Sequence, residues 1–320
     1  MYYVENSNLN FFVTTDHNMY VKKRGKKTFE FVPARELVGK RVSYKKNGIW
    51  KGSSPEKVVF PELEVKAGQF GHGVRTLPKL EMPTKSFMFL LGAFLSEGNC
   101  LNQPKTGSYG IEITQIKPVF RSKLIKFLEE QNLTFGVTEE KIRIFSKQLL
   151  MYFKQFGKCH QKYIPQKVFS YAKEDLEVLF EWLMWGDGTS INGRPVCYYS
   201  TSKQLADDVQ KLALHIGKAA NLQLGTPAKV QTIKGKQYNC RDCWEVRIIN
   251  TKLEPTVNHG HVRTQNVQQE YVVQNYEKPV YCLTVNNHVI YTRRTGKTAW
   301  SINCGRSGDK NIIGAIIPDE

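Results

Sequence analysis

Two short runs of this chain end on the same kind of residue pair. Phe87-Met88-Phe89-Leu90-Leu91-Gly92-Ala93-Phe94-Leu95-Ser96 runs into Glu97-Gly98, and Leu179-Phe180-Glu181-Trp182-Leu183-Met184-Trp185-Gly186 runs into Asp187-Gly188, 90 residues further on. Each run is apolar on nearly every side, which predicts a helix buried between other elements. The glycine after the acid predicts a left-handed residue that ends the helix. At that end the macrodipole disfavours negative charge by roughly 0.3–1 kcal/mol, so stability alone would not place acids there. One such acid reads equally well as a turn residue, since Asp-Gly is a common turn pair. Two in matching places are the signal. If the helices pack side by side, Glu97 and Asp187 emerge together as a carboxylate pair that a divalent cation would neutralise. Metal ions so held can polarise a phosphoryl oxygen, activate water and stabilise a leaving oxygen.

The elements that must position these acids form two units of similar order. The first has the helix ending at Gly98, a strand over 109–114, a helix over 119–131, strands over 133–137 and 141–145, and a further helix from Lys147. The second has the helix ending at Gly188, a strand over 196–200, a helix over 203–221, and strands over 228–233 and 243–249. Helix, strands, helix, strands, twice over, predicts an internal duplication with diverged sequence. On either side the character is all-β: 10–15, 19–21 and 41–44 are short β-prone runs, interrupted by one helical turn at 33–37, and strand character returns near Tyr271. A helical domain is therefore expected inside a β domain.

The chain carries 46 Lys and Arg against 29 Asp and Glu, a formal charge of +17 spread along its length. That suits a broad surface lying along a polyanion, where each phosphate contact releases counterions. A plain solubility charge is the alternative. The seven cysteines are odd in number and scattered, and no secretory signal opens the chain, which predicts reduced thiols and an intracellular protein. Cys240 and Cys243 form a lone CxxC, expected as strand residues and not as a zinc site. No apolar run approaches the ~20 residues that span a bilayer, so no membrane is expected as a partner.

The runs Leu90–Gly98 and Leu183–Thr189 resemble the two signature helices of monomeric LAGLIDADG homing endonucleases, and the stretch 199–221 resembles the second half of endonucleases found inside inteins. The resemblance covers residues 84–256 or so. It implies an α+β fold, a pseudo-twofold saddle of two αββαββ repeats whose strands lie in the DNA major groove, acting as a monomer on a long site in double-stranded DNA. It implies that Glu97 and Asp187, with the backbone of Gly98 and Gly188, hold Mg2+ or Mn2+. Basic residues near the scissile phosphates are implied too, with Lys117 and Lys234, or Lys236, in those places; ordinary solvated lysines are the alternative. One departure stands out: Gly92 lets the first helix approach its neighbour, but Trp182 holds the corresponding place in the second, which predicts a shifted or looser helix interface.

The flanks resemble the all-β splicing (Hint-type) domain of inteins, over 1–80 and 271–303. Thr14 and His17 match the motif with a Thr and a His three places on; Val280 to His288 resembles the next-to-last block; Ser301-Ile302-Asn303-Cys304 resembles the downstream junction. The implied chemistry is polarisation of the scissile amide by Thr14 and His17, acyl transfer to Cys304, attack of the Asn303 side-chain amide on its own carbonyl, and proton transfer by His288. The usual first block, with its nucleophile, is not present before Met1-Tyr2-Tyr3, and Ile302 replaces a histidine. Either a short N-terminal intein fragment supplies the missing strands in trans, or splicing has been lost. Residues 304–320 resemble host-protein sequence, a Gly-Arg-x-Gly-x-Lys segment of the RNA polymerase β subunit. Two other readings fit the same residues: a LAGLIDADG protein that binds DNA or RNA without cutting, and a splicing-only fragment with a decayed nuclease.

Overall fold

The computed structural model describes residues 1–66, 73–233, 235–258, 269–281, 285, 289–302 and the backbone of 316–317. The chain divides into two compact units, one built from 1–49, 217–223 and 246 onward, the other from 50–216 and 224–245.

In chain order the first unit opens with strands β1 (Tyr2–Glu5), β2 (Asn10–Val13), β3 (Asn18–Lys23), β4 (Glu30–Pro33) and β5 (Val42–Tyr44), with a short 3-10 turn at Ala34–Glu36. The second unit begins with β6 (Lys57–Phe60), β7 (Leu63–Lys66), β8 (Val74–Leu77) and β9 (Leu80–Pro83). Its first repeat is α1 (Thr84–Glu97), β10 (Gly98–Gln103), β11 (Ser108–Thr114), α2 (Pro118–Glu130), β12 (Phe135–Val137), β13 (Lys141–Phe145) and α3 (Lys147–Phe153). The second is α4 (Lys173–Asp187), β14 (Gly188–Ile191), β15 (Arg194–Ser200), α5 (Lys203–His215), β16 (Ala219–Thr226), a hairpin of β17 (Lys229–Ile233) and β18 (Lys236–Cys240), and β19 (Cys243–Ile249), with residues 219–223 of β16 and 246–249 of β19 counted in the first unit. The first unit then resumes with β20 (Thr256–Val257), β21 (Glu270–Val272), β22 (Val289–Arg294) and β23 (Lys297–Ile302).

The duplication is visible in the strand order. The first repeat forms a sheet ordered β10-β11-β13-β12, and the second runs β14-β15-β19-β16, so each places its strands first, second, fourth, third. The fold is mixed α and β, with the β17–β18 hairpin as an addition to the second copy. In the other unit β2-β1-β21 and β20-β5-β3-β4 close over a core of Tyr2, Val4, Met19, Val21, Tyr44 and Val257.

Three expectations change. Residues 50–80 belong with the helical unit: β6 pairs with β9, Ser53 N donates to Ser170 O at 3.0 Å, and buried Phe60 packs on Phe87 and Tyr152. Helix α5 stops at His215 and does not reach Asn221; Gly217 at φ +78° ends it, and Ala219 opens a strand. The glycines after the two acids are not left-handed. Gly98 (φ −91°, ψ 149°) and Gly188 (φ −104°, ψ 165°) are extended and lead straight into β10 and β14. Close packing explains them, since a Cβ on Gly98 would lie 2.6 Å from Phe94 Cα and one on Gly188 would lie 2.6 Å from Met184 O.

Candidate active site

Helices α1 and α4 lie side by side at very short range. Nine of the fourteen α1 residues are buried, as are Leu179, Phe180, Trp182, Leu183 and Met184 of α4. A Cβ on Gly92 would fall 2.6 Å from Trp182 Cβ and 3.0 Å from Leu179 O. The Trp182 departure therefore does not loosen the seam. Its ring turns aside onto Phe89 (centroids 3.7 Å apart) and Trp185 (4.7 Å), leaving only its Cβ against the glycine. One turn on, a Cβ on Gly186 would collide with Ser96 Cβ. Ser96 and Gly186 are the residues immediately before the two acids, so their contact brings Glu97 and Asp187 out at the same end of the seam. Gly186→Ala is expected to destabilise the protein by about 1–3 kcal/mol through overpacking, and Ser96→Gly in the same chain to restore part of it; urea unfolding of the three variants reads this directly.

The electrostatics carry the mark of that convergence. Asp187 is largely buried, and its carboxyl is pushed up to about 7, first by burial and next by the negative charge of Glu97, against the opposing pull of Lys162 and Lys117. A carboxyl that stays protonated in the folded state well above its unfolded 3.8 makes the native form bind more protons between those values. Stability without metal therefore falls as pH rises from about 4 to about 7 and levels off above, by on the order of 4 kcal/mol. Asp208, raised to about 6 chiefly by burial, has the same sign, so the test is the difference between parent and Asp187→Asn in thermal midpoint across pH 4–8. Equal slopes would refute the burial of that charge.

Lys117 stands immediately before α2 and reaches toward the end of α4. Its backbone N–H is held by Gln115 Oε1 at 2.9 Å at the start of α2, and its Nζ reaches across to Trp185 O at 3.0 Å and Gly186 O at 3.4 Å, the last turn of α4. Lys234 lies outside the described residues. Gly188 stands opposite Tyr198 in the β14–β15 pair.

Sequence reasoning missed Lys162. It is 4% exposed and donates to three carbonyls at the end of α1: Phe94 O at 2.8 Å, Gly98 O at 2.9 Å and Ser96 O at 3.4 Å. The chain around it is pinned by α5. Ser202 Oγ donates to Lys162 O at 2.6 Å, and Ile164 N donates to Asp208 at 2.8 Å. Burial lowers its ammonium to about 8, with Asp187 and Glu97 pulling the other way. Tyr198, fully buried on β15, is the second residue missed; burial and the charges of Asp187 and Glu97 raise its hydroxyl well above the ordinary value. Nothing local marks Lys162, because it owes its place to carbonyls 64 to 68 residues away in sequence.

Among the described residues no three His, Cys, Asp or Glu side chains cluster as metal ligands. The pair nevertheless fits a hard divalent cation: two carboxylates, with carbonyl oxygens beside them, in a place where two lysines still leave Asp187 short of positive charge.

The other unit holds a second constellation. Thr14 to His17 form the turn between β2 and β3, with His17 N donating to Thr14 O at 3.1 Å. His17 Nε2 lies 3.1 Å from Ser301 Oγ on β23, and burial pulls the imidazole below its ordinary value, favouring the neutral ring. Ser301 and Ile302 are buried at the end of that strand. His288, Asn303 and Cys304 lie outside the described residues.

No protein-family model matches the chain. Curated relatives match it nearly end to end: the DNA-directed RNA polymerase subunit beta C-terminal section of Stigeoclonium helveticum at 26% identity over 98% of this chain and 32% of the relative, and the ATP-dependent Clp protease proteolytic subunit of Chlamydomonas moewusii at 22% over 98% and 41%. The chain thus spans about a third to two fifths of their length. Solved structures similar to it include the homing endonuclease I-DmoI with DNA and Ca (TM-score 0.37, 15% identity, 53% of this chain and 85% of that one), the N-terminal LAGLIDADG domain of DUF199/WhiA (0.32, 11%, 53% and 77%) and the homing endonuclease I-WcaI bound to its recognition sequence (0.31, 9%, 53% and 76%). No helix among the described residues is long and apolar enough to cross a membrane.

Proposed function

We propose that this chain is a mobile insertion in a host gene: a site-specific, metal-dependent homing endonuclease that hydrolyses both strands of duplex DNA, carried with a protein-splicing domain. The observation that carries the reading is the Ser96–Gly186 contact directly before the two acids, supported by the charge of Glu97 that Asp187 feels. Because both acids come from one chain, a monomer supplies the whole site. Glu97 and Asp187 would hold Mg2+ or Mn2+; the carbonyls of Gly98 and Gly188 would add oxygens, Gly98 O with the lone pair that Lys162 leaves free. When bound, the ion would supply Lewis-acid polarisation of the phosphoryl group and an activated water. The chain's own part is to fix the carboxylates through Lys162 and Lys117 and to present a basic surface to the duplex, its formal charge being +17.

The relatives support an insertion. Sequences like this one lie within a polymerase subunit and within a protease subunit, hosts of unrelated chemistry, as expected of an element whose function is its own. Residues 304–320 fit the polymerase context. The His17–Ser301 contact supports splicing as a second activity, with His17 near the strand that leads into Asn303 and Cys304; ligation on mixing with a short N-terminal intein fragment would test that.

The nuclease is tested by incubating the protein with Mg2+ and duplex DNA spanning the uninterrupted polymerase-gene junction. Staggered double-strand cutting is expected. Tight binding with no cutting would overturn the enzyme in favour of a DNA-binding protein.

A further inference from the structure

The ribbon of β7 and β8 is not part of either repeat. Its root is fixed in the core, where β6 and β9 pair from Lys57↔Pro83 to Phe60↔Leu80 and Phe60 packs against Phe87 and Tyr152. Beyond the root, the Leu63↔Leu77 to Lys66↔Val74 pairing stands in solvent, with Val74 66% exposed. An isolated two-stranded ribbon is at best marginally stable, so one held out in this way has a use for what it faces.

It faces the outer end of the first repeat's sheet. A cleft of about 1360 Å3 lies between Arg75 to Leu80 on one side and, on the other, the β10–β11 turn at 104–108 and the start of α3. Four cations line it, Arg75, Lys79, Lys105 and Lys147, with no carboxylate among the lining residues. Lys79 is balanced by Glu81 at 2.6 Å. Arg75, Lys105 and Lys147 have no carboxylate partner among the described residues, and Lys147 lies over the Tyr109 ring at 4.5 Å, leaving its charge available. Strand β10 starts at Gly98, beside Glu97, and runs six residues to this turn. At ~3.4 Å per residue the cleft lies roughly 20 Å from the acids, which is about six phosphates along one DNA strand.

We propose that this cleft is an accessory clamp on the DNA backbone, gripping one flank of the duplex about six base pairs from the cleavage centre. It makes recognition asymmetric, since the other repeat has no such ribbon before α4 among the described residues. The clamp rests on the DNA-binding part of the reading above, but not on cleavage.

The test is the salt dependence of binding to a 40-bp random-sequence duplex, measured by fluorescence anisotropy in Ca2+ from 50 to 300 mM KCl, for the full chain and for the Arg75→Ala/Lys105→Ala/Lys147→Ala triple variant. All three positions are at the surface, and unchanged circular dichroism and thermal midpoint would establish that the variant folds. With a slope of about −0.9 per phosphate contact in log K against log salt, the triple variant should lose about 2.7 from the slope and bind more weakly at low salt. A slope change under about 0.5 would overturn the clamp, as would a change seen only with a 40-bp RNA duplex. Failure of the nuclease reading is distinguishable: a parent protein that never cuts in Mg2+ leaves this slope measurement intact.

Discussion

Glu97→Gln and Asp187→Asn should each abolish DNA cleavage, by at least about 10^3-fold in rate, while binding the same duplex as tightly as the parent or more tightly. The size follows from what a metal-anchoring carboxylate does: without it the ion is no longer held where charge develops on the phosphoryl oxygens, and preorganised electrostatic stabilisation of that kind accounts for several kcal/mol of barrier lowering. The sign on binding follows from charge. Each substitution removes an anion that would face a polyanion, so affinity measured without divalent metal should not fall. Asp187→Asn should in addition raise the thermal midpoint at pH 7, because the folded parent has to bury a carboxyl whose titration is pushed up to about 7 by burial and by Glu97. Lost activity with gained stability is the signature of a site held against its own folding preference, and misfolding cannot imitate it. Cleavage by either variant at the parent's rate would remove these side chains from the chemistry.

The parts of this site that could be read from sequence are those with a local pattern. Two apolar runs stopping at acid-glycine pairs gave the seam helices, because a helix buried on most sides has to be apolar on most sides. The order of elements gave the duplication, which the strand orders β10-β11-β13-β12 and β14-β15-β19-β16 repeat. What failed was whatever depends on contacts distant in the chain. Gly98 and Gly188 suggest left-handed caps by type, yet their backbones are extended and their missing Cβ atoms make room for Phe94 and Met184. Strands β10 and β14 begin on those same glycines, so a boundary drawn there hid them. Ala219-Ala220-Asn221 continues a helical pattern on composition alone, while Gly217 at φ +78° has already ended it. The 57–83 segment is β-prone like the residues before it, and contacts distant in the chain, such as those of Phe60 with Phe87 and Tyr152 and of Gln148 Nε2 with Pro78 O, assign it to the other unit.

Lys162 is the extreme case, since the carbonyls it serves lie 64 to 68 residues away, and its replacement is the second large effect expected. Lys162→Met keeps the length and the apolar stem but takes the Nζ donor from Ser96 O and Gly98 O and one of two donors from Phe94 O, which also accepts from Gly98 N, at a helix end where carbonyls run short of intrahelical partners. Hydrogen bonds from a charged donor contribute about 1.5–3 kcal/mol each. Against that stands the cost of burying the ammonium, visible in its fall to about 8 under burial. The balance should be a loss of about 3 kcal/mol in urea unfolding at pH 7. The pH dependence separates this from simple loss of packing. A lysine whose folded value is about 8 and whose unfolded value is 10.5 makes the unfolded chain bind more protons between them, so the parent gains stability as pH rises through that window. The gap between parent and Lys162→Met should therefore widen by on the order of 2–3 kcal/mol from pH 8 to 10.5. Lys46, lowered to about 7 by its own burial, is common to both proteins and cancels. A gap that stays constant over that range would mean the ammonium is solvated, and the carbonyls at the end of α1 would then have to be satisfied by something other than this side chain.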